Sequence, residues 1–336
     1  LPFSSRHSLR SPRSSEGFRF KMPRLADFSS PDRLKELVDK LTDGGKRNHR
    51  FENMSIQNIS TWKSAGIAPP VDSIDIYGYP AENPLYIFLI ERSGLNLPHI
   101  HVRTPSEGHD IKILSECLKE MMTVALPFIH KKGELLLDSD TLVREEFFKL
   151  IELGEFPLEI RSFGDLIPFY IDEKQKQELI EMKLTAPEGF VIDKFYIEKE
   201  YEMIHSKLAY ADEVAAELTK QRLTHFPSVC IRDCEGNLAS WEMAQHYGQL
   251  THLYTVPTHR GKGIGLLAEL LQAQQFAKTG LQVFKYVDAD NEKVIRATKK
   301  HPLWKRWVST REDNERRDGE DEIMWACSIL SLVDSK

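Results

Sequence analysis

Cysteine is scarce in this chain: four in 336 residues, Cys117, Cys230, Cys234 and Cys327, too few and too scattered for a disulfide framework. Cys230 and Cys234 sit four apart around a turn-like CIRDCEGN, but a zinc knuckle needs two further ligands at similar spacing and none is near. Free thiols are the expectation. No apolar run approaches the ~20 residues of a membrane span. No stripe of Lys and Arg interleaved with aromatics marks a nucleic-acid surface, and the formal net charge is only −6. The phosphate-binding patterns G-x-x-x-x-G-K-[ST] and G-x-G-x-x-G are also missing. What remains is an ordinary balance of apolar and charged residues, and a length that suggests two domains of roughly 150 residues each.

The first 21 residues differ from the rest. LPFSSRHSLRSPRSSEGFRFK is rich in Ser and Arg and carries one acid, Glu16. That is the composition of an organelle transit peptide. The chain begins with Leu and Met22 is its first methionine, so a leader upstream of the true start reads equally well. Either way the segment is set aside from the fold.

The most informative run is TVPTHRGKGIG, Thr255 to Gly265, in which Arg260, Gly263 and Gly265 form R-x-x-G-x-G. A strand-like GQLTHLYTV precedes it, and the amphipathic LLAELLQAQQFAKTG follows. Ile264, Leu267, Leu270 and Leu271 repeat at helical spacing, and Gly280 suits the position past the helix end. A glycine loop between strand and helix offers unpaired backbone N–H groups and the positive end of a helix dipole, a seat for a pyrophosphate. Gly261, Gly263 and Gly265 let phosphates approach the backbone, and Arg260 and Lys262 add charge at the mouth. An ordinary strand-to-helix turn is the plainer alternative.

Upstream, Leu34, Leu37, Val38 and Leu41 predict a helix after Ser30-Pro31. LYIFLIE (85–91) and HIHVR (99–103) predict a strand pair, ILSECLKEMMTVAL (113–126) a helix, and REEFFKLIELGE another ended near Gly154. His99 and His101 would face the same way on a strand, but two ligands do not make a metal site, and none is expected. From residue 184 the order reads strand (190–196), helical segments (201–221), strands at 229–233, 238–244 and 249–256, the glycine loop, helix (264–279), strand (282–288), helix (291–300) and a last strand near 322–329.

The loop resembles motif A of the GNAT superfamily of acyl-CoA N-acyltransferases. HFPSVCIRDCEGNLASWEMAQHYGQLTHLYTVPTHR (225–260), LTAPEGFVIDKF (184–195) and FKYVDADNEKVIRATKK (284–300) are similar to blocks of the glycine N-acyltransferase family. The resemblance covers about residues 184 to 325 and only faintly the N-terminal half. It implies an α/β GNAT fold with a mixed sheet. It implies a C-terminal acyltransferase domain (184–336) after an N-terminal, degenerate GNAT-like domain (22–183) that lacks its own glycine motif. It also implies acyl-CoA as donor, a small amine such as glycine as acceptor, and a mitochondrial address, otherwise cytoplasmic. In such a fold the strands 249–256 and 282–288 splay around the pantetheine arm. Leu253, Thr255 and Val256 would line that arm, with a backbone N–H of 253–255 for the oxyanion. Arg260, Gly261, Lys262, Gly263, Ile264 and Gly265 would hold the pyrophosphate. Asn291 falls at a recurrent family asparagine, or is simply a helix cap.

Two departures stand out. The family's G-E-(apolar) run, whose glutamate is the proposed base, is here Gly248-Gln249-Leu250, and glutamine accepts no proton. No tyrosine lies in the 291–300 helix, where many GNAT enzymes keep an acid for the thiolate. His252, His246 and Glu242 are the alternative proton acceptors; the two histidines also read as ordinary packing residues. Three functions stay open: an acyl-CoA:amino acid N-acyltransferase, a GNAT acetyltransferase on another amine, and a coenzyme-A-binding protein with little catalysis.

Overall fold

The computed structural model describes residues 24–42, 52–67, 73–92, 97–104, 110–208, 211, 215–307 and 325–333. The Ser/Arg-rich segment 1–21 lies outside them. The N-terminal half runs β1 (Ala26–Asp27), α1 (Pro31–Thr42), α2 (Glu52–Ser64), β2 (Ser73–Tyr79), β3 (Tyr86–Arg92), β4 (His99–Arg103), α3 (Ile111–Lys132), β5 (Glu134–Asp140), α4 (Thr141–Glu152), β6 (Leu158–Ile171) and α5 (Glu173–Glu181). The C-terminal half continues with β7 (Phe190–Asp193), α6 (Ile197–His205), α7 (Ala216–His225), β8 (Val229–Asp233), β9 (Leu238–Ala244), β10 (Leu250–Thr255), α8 (Ile264–Lys278), β11 (Val283–Asp288), α9 (Glu292–Lys300), β12 (Lys305–Arg306) and β13 (Trp325–Leu332).

Strand β3 shows why the N-terminal half is built in layers. Side chains alternate across a strand. Ile87 and Leu89 join Leu34, Leu37, Ile56 and Ile59 of α1 and α2 on one face. Phe88 and Ile90 join Leu114, Leu118, Met121 and Phe147 of α3 and α4 on the other. A strand covered on both sides reads as an unbroken apolar run, which is what LYIFLIE is. Asp110 caps α3 by accepting from the N–H groups of Lys112 and Ile113, and Gly133 ends it in the left-handed conformation at φ 78°.

The expected GNAT order is present: a hairpin (β8–β9), a strand (β10), the glycine loop, a helix (α8) and a parallel strand (β11). The expected strand at 190–196 stops at Asp193, and the helical stretch 201–221 is two helices, α6 and α7. The strands of both halves form one mixed sheet in the order β1-β2-β3-β4-β5-β13-β6-β11-β10-β9-β8-β7, with β12 beside β6. Strand β13 lies antiparallel between β5 and β6, and β6 pairs β13 along one part and β11 along the rest. The boundary at residue 184 therefore falls in the irregular chain after α5, while the sheet continues across it.

Helix α2, which carries no clean apolar stripe, locks the halves together. Its Trp62 packs against Phe226 and Phe276 of the C-terminal half, with ring centroids 4.5 and 6.3 Å away. Its Asn58 is fully buried. The Asn58 amide donates to the carbonyls of Gly248 (3.1 Å) and Gln282 (2.9 Å) and accepts from the Gln282 N–H (2.7 Å). Gly248 sits at φ 83°, and a Cβ there would collide with Asn58. One side chain thus holds the chain just ahead of both β10 and β11. Asn58→Ala strands three backbone groups, one buried and two partly buried, at about 1 kcal/mol or more each. We expect it to lose about 3 kcal/mol in urea unfolding; a loss under 1 kcal/mol would refute this role.

Candidate active site

Strands β10 and β11 are parallel neighbours that share a single register pair, Leu250 with Lys285. Beyond it they splay. The cause lies in β10, where a bulge interrupts its ladder with β9 between Thr251 and Tyr254. His252 occupies the bulge at φ 57°, a left-handed backbone that few non-glycine residues adopt. The splay opens a cleft of ≈ 650 Å³ whose lining includes Arg222, Glu242, Gln249, His252, Leu253 and Asn291. Its far wall comes from the N-terminal half and β13, through His99, Asp138 and Cys327.

The glycine loop continues from β10. Val256 donates to the Ala239 carbonyl (2.9 Å), and Pro257–His259 form one 3₁₀ turn. Gly261 and Gly263 both sit at φ 78°, with open space where a Cβ would stand. Gly263 is the N-cap of α8, and no side chain caps that helix. Its first-turn N–H groups have no intrahelical partner by geometry, so an anion can use them. Gly265 serves packing instead, since its Cβ would lie 2.8 Å from the Thr255 hydroxyl. The Ile264 side chain is core, fully buried with Val229 and Ile231. Arg260 Nε donates to the Thr255 carbonyl (3.1 Å), which holds its guanidinium at the strand end. Lys262 lies 5.4 Å from the Phe190 ring centroid. Asn291 caps α9 by accepting from the Val294 N–H (3.3 Å), as the helix-cap reading expects, and it also lines the cleft.

The three predicted catalytic residues do not gather in one place. Gln249 and His252 line the cleft. His246 is outside that lining, buried with Nε2 2.5 Å from Glu91. Burial, with Arg222 and His205 adding to it, pushes the His252 imidazole down to about 3. It is neutral at physiological pH, and a weak proton acceptor. Its Nε2 lies 3.5 Å from Arg222.

Glu242 behaves differently. It is 2 % exposed, lines the cleft, and has one carboxylate oxygen without a hydrogen-bond partner. Burial and the nearby Glu269 charge raise its carboxyl well above the usual range, against the opposing pull of Lys285. Lys285 is itself engaged, 2.8 Å from Glu269 and 3.0 Å from the Thr298 hydroxyl. Arg222 of α7 is 3 % exposed, with a buried Nε that has no hydrogen-bond partner. Among the described residues no carboxylate pairs with it. Sequence reading missed Arg222, Lys285 and Glu269, which look like charged surface positions of a helix or strand until the fold turns them inward.

Residues 229–308 match the family model of the aralkyl acyl-CoA:amino acid N-acyltransferase C-terminal region. Glycine N-acyltransferase of Rattus norvegicus is 26 % identical over 291 residues, 84 % of this chain and 87 % of the relative. That of Bos taurus is 21 % identical over 293 residues with the same coverage. The chain is thus similar to glycine N-acyltransferases over most of its length, and its residues 229–308 to the C-terminal region of that family. A Drosophila protein of solved structure superposes with a TM-score of 0.69 at 15 % identity, over 93 % of this chain and all of that one. A tandem GNAT protein from the clavulanic acid biosynthesis pathway gives 0.55 at 12 % identity, covering 93 % of this chain and 99 % of that one. These likenesses carry the fold.

The two kinds of loop glycine separate experimentally. Gly265→Val forces its side chain into the Thr255 hydroxyl and should cost about 1–3 kcal/mol in urea unfolding. Gly261→Ala meets only backbone strain, about 1 kcal/mol. Equal losses would contradict the packing role of Gly265.

Proposed function

We propose that this protein transfers an acyl group from acyl-CoA to the amine of an amino acid, glycine or a close relative. The observation that carries the reading is the splayed β10–β11 cleft, whose walls hold a buried carboxylate with one oxygen unpartnered and a buried arginine that no carboxylate pairs among the described residues. The donor's pyrophosphate would rest on the loop 260–265 and the N-terminus of α8. Its pantetheine arm would pair with the strand edges that β10 and β11 leave free beyond Leu250 and Lys285. Arg222 suits the acceptor's carboxylate, because a buried guanidinium is best satisfied by an anion. This favours an amino acid over an amine that lacks the carboxylate.

The chemistry needs a neutral amine. Glu242, ionised, takes a proton from the ammonium. The amine nitrogen then attacks the thioester carbonyl, and a backbone N–H of residues 253–255 receives the developing oxyanion. The C–N bond forms and the C–S bond breaks. Coenzyme A leaves as thiolate, whose low intrinsic pKa makes the missing tyrosine of α9 dispensable. The nitrogen gives up a second proton as the amide forms, and the thiolate takes it up, so the products are the amide, the thiol and the one proton held by Glu242. Glu242 thereby takes the part that Gln249 cannot.

Free-thiol release from a panel of acyl-CoAs with amino acids and plain amines tests the assignment. Bound coenzyme A without thiol release would leave a binding protein, and preference for plain amines would leave a different acetyltransferase.

Glu242→Gln should lower turnover by roughly 10²–10⁴-fold and flatten the rise of rate with pH. The same substitution should stabilise the fold at alkaline pH. A carboxyl raised in the folded state contributes stability below its unfolded range and loses it as pH rises towards the folded value, whereas Gln has nothing to ionise. Melting temperatures at pH 5 and pH 8.5 check this: the gain must appear at the higher pH.

Arg222→Gln should raise the KM for glycine about 10–100-fold, the worth of a charge-assisted hydrogen bond, and leave glycinamide almost unchanged. An equal effect on both acceptors would remove Arg222 from carboxylate recognition.

A further inference from the structure

The far wall of the cleft is backed by five polar side chains that the acyl transfer does not use: Glu91 on β3, His99 and His101 on β4, Asp138 on β5 and His246 in the turn before β10. Each is at least nine-tenths buried, between 1 and 8 % exposed. Strand register brings them together. Glu91 is the Cα partner of His99, and His101 that of Asp138. His99 and His101, two apart on one strand, share a face with ring centroids 3.9 Å apart.

Four close ion-pair approaches draw the polar atoms together. His99 Nε2 lies 3.1 Å from Asp138 Oδ2, and His101 Nδ1 lies 3.4 Å from the same oxygen. His99 Nδ1 is 3.6 Å from Glu91 Oε2, and the same oxygen is 2.5 Å from His246 Nε2. Despite these approaches, His99 Nε2, both nitrogens of His101 and of His246, Asp138 Oδ1 and both Glu91 oxygens lack a partner in hydrogen-bond geometry. Interiors rarely leave so many polar atoms unsatisfied, because each costs about 1–3 kcal/mol.

A shared cation resolves the arrangement. Ligands about 2.0–2.1 Å from a tetrahedral zinc stand roughly 3.3 Å from each other. The two nitrogen-to-oxygen separations at Asp138 lie close to that edge. A ligating histidine ordinarily gives its other N–H to a carboxylate, and Glu91 is on the Nδ1 side of His99. Glu91, His101 and His246 form a second such group, with one ligand atom of each within 4.8 Å of the others. We propose that His99 Nε2, His101 Nδ1 and an Asp138 carboxylate oxygen bind one divalent transition-metal ion of the zinc class, with Glu91 and His246 as the supporting outer layer. His99 and Asp138 line the cleft, so a fourth coordination position is reachable from it. Two imidazoles and one carboxylate suit zinc, and also iron(II) or cobalt(II). The pair HIHVR supplied two ligands in sequence; the third arrives from the strand after α3.

Titration of the full chain, stripped with a chelator, with cobalt(II) and with zinc tests the site. The expected result is one ion per chain, visible d–d absorption from cobalt that zinc displaces, and a melting temperature that rises with zinc. Asp138→Asn and His101→Asn should each weaken zinc binding at least 10-fold. Wild-type protein that gives neither cobalt absorption nor a zinc-dependent melting shift at about 100-fold molar excess overturns the proposal, whatever the variants do. Binding that survives both substitutions unchanged overturns it too, since the ion would then sit elsewhere.

Discussion

The single register pair between β10 and β11 governs this molecule. Two parallel strands in the middle of a sheet ordinarily satisfy each other along their length, because buried backbone groups left unpaired are costly. Here the pairing ends after Leu250 and Lys285, and the strand edges beyond it face a cleft. Several features keep that opening in being. The bulge and the left-handed backbone of His252 turn β10 aside. Asn58 grips the chain ahead of both strands, so the divergence starts from one held point. The uncapped α8 lies at the end of β10, where the same unpaired condition is repeated by helix N–H groups.

The polar residues around the cleft are poor choices for stability and good ones for chemistry. Glu242 is buried beside Glu269, and Lys285 is committed to Glu269 and Thr298. A carboxyl raised in that way is a stronger proton acceptor than an exposed one, which is what proton transfer asks of it. Arg222, charged and enclosed, has the same character. Such groups persist in a fold when something outside the fold completes them.

How much of this was legible in the sequence follows from how local each feature is. The glycine loop, the strand before it and the amphipathic helix after it are contiguous, and their bounds were read to within a residue or two. The splay was reached through family resemblance. Helix α2 escaped notice because it buries Asn53, Ser55 and Asn58 along with its apolar residues, so no stripe appears. Strand β6 escaped because residues 159–163 are exposed and break the alternation of a half-buried strand. The absent glutamate at Gln249 was visible at once. That Glu242 stands in the same cleft was one option among three, and its raised carboxyl depends on Glu269, a neighbour supplied by another element. Arg222 and Asp138 had no signature, since what distinguishes them is the company they keep in three dimensions.

The insertion of β13 between β5 and β6 has a consequence for how the protein is made. Ribosomes deliver the chain from the N-terminus, and β13 is the last of the described elements in chain order. Until it emerges, β5 and one stretch of β6 present open edges, and strands β1 to β5 cannot join the rest of the sheet. The N-terminal half must wait through the synthesis of its partner as an incomplete platform, exposed to pairing with other nascent chains. The last ladders to form are also among the longest-range in sequence, which makes their closure a slow step of folding. A layout of this kind leaves unfinished sheet edges open for most of the chain's synthesis.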